Sequence, residues 1–329
     1  MRDRILPLAV IVTPGTLTTR IAHETSSLIT QPPQLSLDAH KYAVYVGVEH
    51  LLRIDDVQGP QSAVMAVTVA SAAQQMILPI KPPQPNSSYD LRFIGPAIRC
   101  TEPPQSNMTT FQHALAEATK KIFFGNTALG APSLVYNAWA PDLHHKDLAN
   151  PNWNNGSSNY IDSAFGVYSG GTLFIYIGRA SSTSQGTIVY NEMVLLQCTL
   201  YNATYDVGFD FAGTGQSIEI RTLVYGDAVP ASSGVPYDIT GSTYYDLSVS
   251  SVTYTSLLWA FGQLLIGTGT TNPFFGQYVP NYTGTLAQVT ALKGFIEGSK
   301  GLTFNVVKVT VEQMFQNMTL SLLSSDKFL

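Results

Sequence analysis

Adjacent histidines at 144 and 145, with Asp142 and Asp147 beside them, form the densest group of metal-ligating side chains in the chain. Neighbouring residues point apart on a strand and sit about 100° apart on a helix, so such a pair meets one ion only where a loop bends around it. The other four histidines, His23, His40, His50 and His113, stand in separate segments with no histidine four residues away. The spacing predicts a solvated loop at 144–145, with no metal and no other cofactor. Ser169, in Gly166-Val167-Tyr168-Ser169-Gly170-Gly171, lacks the Gly-x-Ser-x-Gly frame of a nucleophile elbow and fits a glycine-rich turn. Gly267-Thr268-Gly269-Thr270 follows an expected helix, whereas a phosphate cradle precedes one.

Two groups of residues bear on sugar chemistry. Asp206, Asp210, Glu219 and Glu192 fall on expected strands, where a carboxylate pair about 5 to 9.5 Å apart would suit glycoside hydrolysis. Asp206 and Asp210, four apart on one strand, share a face at about 13 Å, so a secreted hydrolase of cell-wall glycans needs a carboxylate from a neighbouring strand. That is the second reading of the chain. Tyr136, Trp139, Trp153 and Tyr160 lie in a polar, asparagine-rich stretch over 125–165 and could stack on sugar rings; the plainer alternative is that they pin the loop down.

Two cysteines, Cys100 and Cys198, each sit in a strand-like run. In an oxidising lumen an even count favours one disulfide across a loop of about 98 residues, and two buried free thiols are the alternative. Asn-x-Ser/Thr sequons occur at Asn86, Asn107, Asn155, Asn202, Asn281 and Asn317, six of the 15 asparagines. Chance at this hydroxyl content gives about three, so the excess points to the secretory pathway.

The elements that must position these residues follow from composition and period. With 329 residues, 45% hydrophobic and only 12% charged, the chain can bury a substantial core. A net charge of -5 without basic clusters argues against a nucleic-acid partner. The apolar runs Ile5 to Val12 and Leu257 to Ile266 are too short to cross a bilayer. Asp3, Pro7 and the lack of a small-x-small site argue against a cleaved signal, leaving a strand before the Pro14-Gly15 turn.

Strands are expected at Lys41 to Val48, Ala63 to Val69, Tyr89 to Phe93, Ile98 to Cys100, Leu173 to Ile177 and Ile188 to Leu200. Tyr205 to Phe211 and Ser217 to Val224 form the clearest hairpin, across Ala212-Gly213-Thr214-Gly215. Helical periods predict helices near 108–124, 254–266 and 311–324, the last opening on a Thr310/Gln313 capping box. The fold class is therefore α+β: a β-rich, mostly antiparallel body with about three packed helices. It forms a single lumenal or extracellular domain, 1–329, or two interlocked lobes, a strand-rich 1–105 and a mixed 106–329.

Several phrases carry a resemblance: Ile5-Leu6-Pro7-Leu8-Ala9 through Thr13-Pro14-Gly15-Thr16-Leu17-Thr18, the Arg99-Cys100 strand end, Cys198-Thr199-Leu200-Tyr201-Asn202-Ala203-Thr204-Tyr205, and Met314-Phe315-Gln316-Asn317-Met318-Thr319 with the leucine-serine run to Ser324. Over nearly its whole length the chain resembles the lumenal or extracellular region of a family of uncharacterised fungal membrane glycoproteins. The resemblance implies flanking membrane helices outside this sequence, glycosylation, a Cys100–Cys198 bridge and, as partners, a membrane and glycans or another surface protein. It implies no reaction. Some members are labelled deformylase-like, and that chemistry requires His-Glu-x-x-His. Here His23-Glu24 is followed by Ser27 where the second histidine must stand.

Overall fold

The computed structural model describes residues 43–45, 57–104, 134–140, 172–182, 188–213, 215–229, 249–274, 277–283, 285–298 and 300–328. The expected helix near 108–124 lies outside them, as do all six histidines and Ser169. The fold is α+β, and every strand pair described is antiparallel.

A short ribbon, β1 (Ala43–Tyr45) with β2 (Val57–Pro60), precedes α1 (Ser62–Gln74). The seven-stranded sheet comprises β3 (Ser88–Thr101), β4 (Leu134–Trp139), β5 (Thr172–Ser182), β6 (Ile188–Ala212), β7 (Gly215–Ala228), β8 (Gly267–Phe274) and β9 (Gln277–Thr283). Its order is β3-β6-β5-β4-β8-β9, with β7 also on β6. β6 is the spine. One edge pairs with β3 from Gln197 to Asp210, and the other carries β5 up to Thr199 and β7 from Tyr201 onward.

A strand of 25 residues, roughly 80 Å at 3.3 Å each, outruns one layer of helices. Its core face accordingly changes sides. Val194, Leu196, Cys198 and Leu200 join the core from the even face, and Ala203, Tyr205, Val207, Phe209 and Phe211 from the odd face. The change coincides with the β6–β7 bulge between Tyr201 and Ala203. β3 switches in step, from Tyr89, Leu91 and Phe93 to Ile98 and Cys100. Two stacked pairs, Phe93–Tyr205 and Tyr89–Phe209, bind the strands on the odd face, each with centroids 4.9 Å apart.

The helices cover this core. α2 (Val249–Leu265) matches the period at 254–266: Tyr254, Leu257, Leu258, Phe261, Leu264 and Leu265 are all buried. Its last carbonyls accept from Thr285 Oγ1 and from the Tyr136 hydroxyl, which satisfies the open end of the helix. A single turn, α3 (Lys293–Ile296), leads to α4 (Phe304–Ser321), whose Phe315 meets Phe261 edge-on at 5.2 Å.

Three local expectations are corrected. Ala63 to Val69 is helix, because burial of Val64, Val67, Thr68, Ser71 and Ala72 at i, i+3, i+4, i+7 and i+8 outweighs the β-branched propensity. α4 starts after Thr303, not at Thr310; Thr310 is already in the helix, its hydroxyl on the Val306 carbonyl at 2.8 Å. The stretch 125–165 is not loop throughout, since β4 runs through it between β5 and β8. The hairpin appears as expected, with Ala212 paired to Gly215 and Gly213 at φ 61°.

Candidate functional site

Cys100 and Cys198 stand opposite one another on β3 and β6, both fully buried, and form a disulfide. Their α-carbons are 3.9 Å apart, closer than the 4.4 to 6.8 Å usual for a bridge. Such closeness belongs to a pair that does not exchange ladder hydrogen bonds, which turns the Cys100 N–H away from β6. There it donates to Glu312 Oε1 of α4 at 2.7 Å, while Glu312 Oε2 meets Lys308 Nζ at 2.8 Å. Nearby, the Pro96 carbonyl accepts from the hydroxyls of Tyr205 and Thr319. α4 therefore seals the outer edge of β3 beside the disulfide.

Glu312 was not legible as a functional residue, since 212 positions separate it from Cys100. The one sequence signal was its i+4 spacing from Lys308. Glu312→Ala leaves a buried N–H without an acceptor and is expected to cost about 2 to 4 kcal/mol in urea unfolding. Glu312→Gln keeps the acceptor and gives up only the partly exposed ion pair, for about 1 kcal/mol.

Of the carboxylates weighed for glycoside hydrolysis, Asp206, Asp210 and Glu219 sit on the solvent side of the strands. Asp206 is half-buried; Asp210, Glu219 and Glu192 are exposed. Across this face Arg221 of β7 reaches over β6 to Asp90 of β3, Nη1 to Oδ2 at 2.6 Å. It can do so because Gly208 lies beneath: a Cβ there would stand 2.8 Å from the guanidinium. Asp90 thereby raises the guanidinium pKa further above its ordinary value. Among the described residues no three His, Cys, Asp or Glu side chains converge on a point that could hold a metal ion.

Of the aromatic residues weighed for glycan contact, Tyr136 is fully buried and donates its hydroxyl to the Leu265 carbonyl at 2.7 Å. Trp139, also buried, stacks on Phe174 with centroids 5.3 Å apart. β4 lies inside the sheet, so these two rings pack the core and present no face to a sugar. Trp153 and Tyr160 lie outside the described residues.

The sequons are unequal. Asn86 is exposed in a left-handed turn at φ 56°, its Oδ1 accepting from the Gly213 N–H at 2.8 Å. Asn202 is half-buried on the spine strand, with Oδ1 taken by the Tyr254 hydroxyl at 3.0 Å. Asn317 is half-buried on α4, its Nδ2 3.5 Å from the Gln75 carbonyl, and its Thr319 is fully buried. Asn281 lies on β9, opposite Thr270. Asn107 and Asn155 fall outside the described residues.

No described helix is long and apolar enough to cross a membrane. The chain matches no family model, no curated protein and no solved structure.

Proposed function

We propose that the chain is a disulfide-stapled, glycosylated domain at the lumenal or outer face of a membrane, with a structural or interaction role. The observation that carries this reading is the buried Cys100–Cys198 bridge, because glutathione and thioredoxin keep such pairs reduced in the cytosol. The exposed sequon at Asn86 supports the same compartment. An interaction role is supported by the long strand surface of β6 and β7, where Arg221 neutralises Asp90. Membrane anchoring and a fungal source rest on the resemblance of the quoted phrases.

Expression in a secreting eukaryotic host with glycopeptide mapping tests this. Asn86 is expected to be occupied, and Asn86→Gln to remove one endoglycosidase-sensitive step on a gel. Asn202 is expected to be empty, because it stands half-buried on the spine strand opposite Pro96 of β3. A secreted protein bare at all six sequons would sink the proposal.

A further inference from the structure

We propose that the free edge of β7 pairs antiparallel with β7 of a second copy of this chain. The proposal goes beyond the compartment reading and does not need it, since it rests on an edge with which no described strand pairs.

The other described edges of the sheet are guarded. On β3, Glu312 takes an outward N–H and Pro96 removes another, under the cover of α4. β9 carries Pro280. β7 lacks such cover: Gly215 to Ala228 contains neither Pro nor Lys, its one arginine is tied to Asp90, and its interruptions are two bulges against β6, at Arg221 and at Gly226–Asp227. Among the described residues no strand pairs with its outer edge. Long unguarded edges recruit another strand.

The sequence of β7 selects a second copy as the occupant. Ile218, Ile220, Leu223 and Tyr225 form a partly exposed row along the core side. The β6–β7 register shift between Asp206 and Val207 keeps all four on that side despite their mixed parity. An antiparallel pair centred on a two-fold axis between residues 221 and 222 sets Ile218 against Tyr225 and Ile220 against Leu223 of the second copy. A slip of one residue would set this row against the polar side. The same register places Val224, 60% exposed, opposite Glu219 of the second copy. From Gln216 to Asp227 the pairing runs roughly 40 Å, long enough for an isologous interface.

Sedimentation of the folded, disulfide-intact protein between about 1 and 100 μM is expected to show a dimer. V224E sets two like-charge pairs across the interface and should weaken it about tenfold, whereas V224K should hold or tighten it. The double variant E219K/V224E restores opposite charges and should restore the dimer. Thermal midpoints near wild type for each variant keep the readout on association. A monomer throughout, or a dimer indifferent to V224E or weakened equally by V224K, would overturn the proposal.

Discussion

Raising the pH from 10 to 12 is expected to unfold the protein cooperatively at room temperature. Burial pushes the phenol of Tyr225 up to about 12, the nearby Glu312 charge adding to the shift. Burial also drives Tyr89, Tyr136, Tyr205 and Tyr254 well above the ordinary phenol range. In the unfolded chain a tyrosine ionises near 10. Below that pH both states hold the proton, and the contribution to stability is fully present. Between the unfolded and folded values only the unfolded chain releases it, so stability falls as pH rises. Tyr225, half-buried and so partly screened by water, accounts for about 1 to 2 kcal/mol by pH 12, and the four deeper tyrosines steepen the loss. A step in phenolate absorbance near 295 nm worth these five tyrosines, of 17 in the chain, should coincide with the loss of far-ultraviolet circular dichroism. All 17 ionising with the fold intact would show that these hydroxyls reach water.

The second large effect is loss of the bridge. Cys100→Ala with Cys198→Ala frees a loop of 98 residues, worth about 4 to 5 kcal/mol on the chain-entropy account. Serine at both positions is expected to cost more, since it adds hydroxyls to a fully buried site. Urea unfolding of the wild type with and without reductant, beside both double variants, checks this. An unchanged midpoint in the alanine variant would mean that Glu312 and the neighbouring strand pairs hold β3 without the bond.

What the sequence disclosed depended on the range of the forces involved. The β6–β7 hairpin was legible because alternation and a glycine turn are local. α2 was legible because Tyr254 to Leu265 repeat at helical spacing. α1 was misread because Val64, Val67 and Val69 favour a strand locally, and only packing against α4, with Ser71 meeting Ser321, decides for helix. The start of α4 was hidden since Asn305 and Val306 are exposed and the apolar stripe begins at Val307. β4 was lost among polar neighbours, so Tyr136 and Trp139 looked like loop aromatics. For the site, the two cysteines were visible. Their register, the Glu312 contact and the place of β7 at the rim of the described sheet were not, because each depends on which strands become neighbours.

The central claim is that the chain lives where the Cys100–Cys198 bond persists, and alkylation of protein taken directly from its natural source tests it most directly. Acid-quenched, denatured and alkylated before reduction, the intact chain should gain no adduct. After reduction it should gain two, and a non-reducing digest should link the peptides carrying Cys100 and Cys198. Two adducts before reduction, on a chain without N-glycans, would place it in a reducing compartment and contradict the account.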